Sequence, residues 1–123
     1  MFGKRRPQTL LNRDQAFDAR PIAVRTLGRE PLKRGGERLI IELHPRGVQK
    51  WLLRVPEGAT RKIELDPIGV QVFDMCDGKT SVRQITRRFA KQYKVDPQEA
   101  EIAVTTFIRQ MMRKGLVSMV INK

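Results

Sequence analysis

The stretch LDPIGVQVFDMCDGKTSVRQITRRFAKQYKVDPQEAEIAVTTFIRQMMRKGLV, residues 65–117, decides the fold. It contains three helix starts, each marked by capping chemistry. Asp66-Pro67 puts a carboxylate where free N–H groups need an acceptor, and a proline where no N–H is needed. Ile68, Val72, Phe73 and Met75 give this first helix an apolar side, and Asp77-Gly78 ends it. Ser81 opens the second helix with Gln84 three residues on, the spacing of a capping box. Val82, Ile85 and Phe89 form its stripe, with Tyr93 near the end. Asp96-Pro97-Gln98-Glu99 opens the third, which runs to about Lys114. Its Ala100, Ala103, Val104, Phe107, Ile108 and Met111 recur at helical spacing. Gly115 stops it, and LVSMVI reads as a short closing strand or an apolar tail.

Upstream the period changes from helical to alternating. PIAVRTL is a candidate strand and REPLKRGGER a turn. RLIIELHP is a strand with Leu39, Ile41 and Leu43 on one face. WLLRV is a strand or an apolar plug, and PEGAT is a turn. RKIEL alternates Ile63 and Leu65 against Lys62 and Glu64. The expected fold class is α+β: a small antiparallel sheet of about three strands over 21–65, then three helices over 66–115. Residues 1–20 read as a basic flexible arm, and 21–123 as a single domain.

The 123 residues include 25 Lys and Arg against 13 Asp and Glu, a net +12. Residues 1–38 hold ten bases against four acids, and 39–123 hold fifteen against nine, so the excess is spread evenly. No apolar run approaches the roughly 20 residues of a helical membrane span. One Cys and one His exclude a disulfide scaffold and a protein-built zinc site. With no export signal the expected location is the cytoplasm. No catalytic constellation is present. His44 sits beside Pro45 in a turn. Cys76 adjoins Asp77, whose charge raises a thiol pKa, so it reads as a core residue. Phosphate-loop motifs are absent. The chain reads as a non-enzyme without cofactors.

The helical half resembles the PqqD-like proteins. The matching residues are Leu65, Asp66, Cys76, Asp77, Gly78, Ser81, Val82, Ile85, Tyr93, Val104, Phe107, Gly115 and Leu116, within roughly 61–117. The resemblance implies a winged-helix-like domain that holds the leader of a ribosomally made precursor peptide. It implies presentation of that peptide to a modifying enzyme, often a radical S-adenosylmethionine enzyme. In such a domain the leader adds to a strand edge and packs on the last helix. Here the edge is Arg61, Lys62, Ile63, Glu64 and Leu65. The helix face is Ile102, Thr105, Thr106, Arg109, Met112 and Arg113. Ile102 and Met112 are apolar but off the core stripe, and Arg109 and Arg113 suit acidic leader residues. The segment PRGVQKWLLRVPEGAT is an insertion relative to the minimal domain. Its Trp51, Leu52 and Leu53 either cover the edge or dock a partner.

Two other readings stand beside this one. A winged-helix DNA binder is favoured by the net charge and by Arg83, Arg87, Lys91 and Lys94 on the second helix. Gln98, Glu99 and Glu101 oppose it, because they put carboxylates where a recognition helix meets DNA. An interaction subunit of a larger enzyme would use LVSMVI and Trp51. Monomer and dimer are both compatible with an exposed strand edge.

Overall fold

A computed structural model describes residues 13–42 and 59–120. The expectations for His44, for Trp51–Leu53 and for the basic cluster near the start fall outside these residues. The chain divides into two compact units, Val24–Gln71 and Met1–Ala23 with Val72–Lys123. The architecture is α+β.

The first unit is built on one antiparallel sheet. Strands β2 (Gly28–Pro31), β3 (Glu37–Glu42) and β4 (Thr60–Leu65) lie in the order β2-β3-β4. β3 pairs with β4 from Glu37 opposite Leu65 to Glu42 opposite Thr60. One face carries Leu39, Ile41, Ile63 and Leu65, all buried. The other carries a charge ladder. Arg38 reaches Glu64 at 2.9 Å and Glu30 at 3.4 Å, and Arg34 also pairs with Glu64. Each side of the ladder is solvent-exposed, so it aids register more than stability. The β2–β3 turn passes through Gly35 and Gly36 at φ 90° and 84°. A Cβ on Gly36 would stand 2.1 Å from the Leu65 carbonyl oxygen. Only glycine fits there.

The strand at residues 28–31 corrects the expectation of a turn from Arg29. Arg29 pairs with Glu37 at 2.5 Å, and Glu30 lies opposite Arg38. Pro31 is tolerated because it sits at a sheet edge, where its missing N–H breaks no ladder bond. The PIAVRTL strand is corrected in turn: β1 (Arg20–Ala23) does not join this sheet.

The second unit pairs β1 with β5 (Val117–Val120), from Arg20 opposite Val120 to Ala23 opposite Val117. Helix α2 (Pro67–Met75) crosses the boundary between the units. Asp66 caps it through the Gly69 N–H at 2.7 Å. Val70, Val72 and Phe73 are buried, whereas Ile68 is exposed, contrary to the apolar side expected for it. Helix α3 (Val82–Tyr93) starts in the expected capping box at Ser81 and Gln84. Helix α4 (Pro97–Arg113) starts at Asp96, whose carboxylate accepts from the N–H groups of Gln98 and Glu99. Val82, Ile85 and Phe89 of α3 and Ala100, Val104, Ile108 and Met111 of α4 are buried. Gly115, at φ 76°, ends α4 and lets the Leu116 N–H reach the Met111 carbonyl at 2.8 Å.

The described part of the segment expected as a flexible arm, residues 13–20, has regular structure. Arg13–Asp18 form a helix, α1, and Ala19 is buried. The reason is local to this unit. The Ala19 carbonyl accepts from the Val82 N–H at 3.0 Å. Arg83 reaches Asp18 at 3.3 Å and lies 5.6 Å from the Phe17 ring centre.

Candidate functional site

The residues expected to bind peptide lie on two elements, β4 in the first unit and α4 in the second. Each is described by itself.

On β4 the backbone matters most, and its direction follows from β3. The Ile40 carbonyl accepts from the Leu27 N–H at 2.7 Å, and the Gly36 carbonyl from the Leu32 N–H at 3.1 Å. The even-numbered residues of β3 therefore point their polar backbone groups at β2, and Glu37, Leu39 and Ile41 point theirs at β4. Their partners Leu65, Ile63 and Arg61 answer inward. The N–H and C=O groups of Thr60, Lys62 and Glu64 thus face the outer side of β4. Among the described residues no strand pairs with that side. The opposite edge of the sheet is different: β2 turns Arg29 and Pro31 outward, and Pro31 has no N–H to give. Among the described residues, β4 therefore offers the fuller set of outward backbone donors and acceptors of the two edges.

Among the five β4 candidates, Ile63 and Leu65 are buried and Arg61, Lys62 and Glu64 are exposed. Glu64 is held by Arg38, whose hydrogen bond puts its carboxyl below the ordinary range. The alternation in sequence showed which side chains are buried. It did not show which backbone groups face outward, because that depends on the pairing partner.

On α4 the expected stripe is present. Ile102 is 66% exposed and Met112 44%, and Thr106, Arg109 and Arg113 are exposed. Ile102, Thr106, Arg109 and Arg113 fall on one line, opposite the buried Ala100, Val104, Ile108 and Met111. Thr105 is half-buried, and its hydroxyl donates to the Glu101 carbonyl of its own helix at 2.7 Å. At the start of α4, the Glu99 N–H holds the Asp96 carboxyl below its ordinary range, and Asp96 in turn raises Glu99. Acidic charge at this helix start opposes a phosphate backbone.

Cys76 and Asp77 are structural. Cys76 is buried, and desolvation followed by the charges of Asp77 and Asp74 pushes its thiol up to about 12. Asp77 accepts from the N–H groups of Lys79 and Thr80 at 2.8 and 2.7 Å, closing the turn before α3. No group of metal-ligating side chains occurs among the described residues.

The family model of coenzyme PQQ synthesis protein D (PqqD) matches residues 43–117. The chain belongs to the PqqD family. A PqqA binding protein of Xanthomonas campestris pv. campestris strain 8004 is 33% identical over 87 residues, 71% of this chain and 88% of the relative. One from Xanthomonas oryzae pv. oryzae strain KACC10331 is 32% identical over 88 residues, 72% and 89% of the two chains. One from Rhodopseudomonas palustris strain BisB5 is 30% identical over 70 residues, 57% and 66%. No solved structure matches significantly. The PqqD match takes in β4, α2, α3 and α4, so it includes both candidate surfaces.

Proposed function

We propose that this PqqD family member is a non-catalytic cytoplasmic adaptor that binds a ribosomally made precursor peptide and presents it to a modifying enzyme. The outer edge of β4 is its docking edge. The observation that carries this reading is the contrast between the sheet's two edges: Lys62 and Glu64 offer backbone donors and acceptors, whereas Pro31 blunts the other side. The naming of relatives for binding PqqA supports it. Strand addition draws affinity from main-chain hydrogen bonds and selectivity from side-chain contacts. The exposed stripe of α4 is a second contact surface, with Ile102 and Met112 as apolar contacts and Arg109 and Arg113 for carboxylates.

The test uses fluorescence anisotropy with a labelled PqqA-type precursor peptide. Lys62→Pro removes an outward N–H at an edge position that tolerates proline. Binding should weaken by about tenfold or more, the scale of one or two lost hydrogen bonds, while circular dichroism stays native. Native-strength binding by a folded Lys62→Pro protein would refute the edge. Ile102→Glu tests the helix stripe separately. Tight, steeply salt-dependent binding to duplex DNA, with no peptide binding, would replace the reading altogether.

A further inference from the structure

The second unit contains a cavity of about 530 Å³ that the peptide-binding reading does not use. It lies where β1, α1 and the start of α3 meet. Arg20, Arg83 and Arg87 line it, with Asp18, Ser81 and Gln84. We infer that this cavity binds a small ligand carrying close to two negative charges on oxyanion groups, carboxylate or phosphate.

Among the described residues that line it, three guanidinium groups share one concavity with the Asp18 carboxylate. The lining thus holds an excess of two positive charges in a space of the size that takes small molecules. Like charges gathered in a concave site repel, and an anion between them relieves that repulsion. The cavity is also pre-shaped. Arg83 is set by Asp18 and by the Phe17 ring. Arg87 follows one turn later on the same face of α3. Arg20 is half-buried at the first residue of β1. Ser81 and Gln84 are locked to each other by the capping box and serve as a rigid wall. Two of the helix-start N–H groups are already engaged, Val82 by the Ala19 carbonyl and Gln84 by the Ser81 hydroxyl. Recognition would therefore come from the guanidinium forks, which suit the planar or tetrahedral oxygens of such groups.

The test is a titration of the full chain by amide NMR. Sodium phosphate and sodium succinate are the two probes, at ionic strength held constant with chloride. At least one probe should give saturable shifts at the amides of Arg20, Ser81, Arg83 and Gln84. Arg87→Gln should weaken that binding about tenfold, and so should Arg20→Gln. Arg88→Gln removes the same charge from the same helix outside the cavity lining, and should leave binding unchanged. Saturation by phosphate alone identifies a phosphate-bearing ligand. Saturation by succinate alone identifies a dicarboxylate. No saturable shift at these amides with either probe, or equal weakening by Arg88→Gln and Arg87→Gln, would overturn the inference.

Discussion

Asp77 shows how one residue ties pH to stability. The N–H groups of Lys79 and Thr80 donate to its carboxylate and hold it below its ordinary range. A depressed carboxyl stabilises the fold above the ordinary range, and that contribution disappears as pH falls through the lowered folded value. Asp77→Asn should therefore melt at a lower temperature at neutral pH, and should lose less on further acidification. Thermal unfolding followed through an acid series checks both. Cys76 gives a second prediction. With its thiol raised to about 12, it holds almost no thiolate at neutral pH, so native protein should resist thiol labelling. Labelling should proceed at the rate of unfolding and be complete in denaturant. The core role of Cys76 was legible in the sequence, because Cys beside Asp declares local chemistry; Asp77-Gly78 marked a helix end but not the N–H groups that the Asp77 carboxylate holds. The Arg20, Arg83 and Arg87 cavity was not legible, since its residues come from segments about sixty residues apart.

The helices were the readable elements, because their signals sit within four residues of each start. Ser81→Ala removes the capping box and should cost about 1 kcal/mol, measured by chemical denaturation. The strands were less readable, because a strand acquires meaning only from its neighbour. Arg29 to Pro31 carries turn residues and still forms β2, since charged partners on β3 and an outer edge accommodate them. Backbone parity on β4 makes the sharpest contrast. Ile63→Pro removes an N–H that bonds inward to β3, so it should collapse the sheet. Lys62→Pro should leave far-ultraviolet circular dichroism unchanged. Gly36→Ala should also unfold the sheet, because its Cβ would collide with the Leu65 carbonyl and the backbone at φ 84° strains any other residue.

For the whole chain, the net charge of +12 concerns encounter more than grip. An acidic peptide should associate more slowly as salt rises, about tenfold across the range that screens surface charge, with little change in dissociation. Stopped-flow measurements separate the two rates. The charge total was visible from composition. The division into two units was not, since the unit holding α3 and α4 is assembled from both ends of the chain. The β1–β5 ribbon joins Arg20 to Val120, one hundred residues later. Domains form as the chain emerges from the ribosome, at roughly 5–20 residues per second. β1 leaves the tunnel with no β5 to pair with until about one hundred further residues have been made. At that rate the interval lasts several seconds, and the nascent chain must pass it without this clasp.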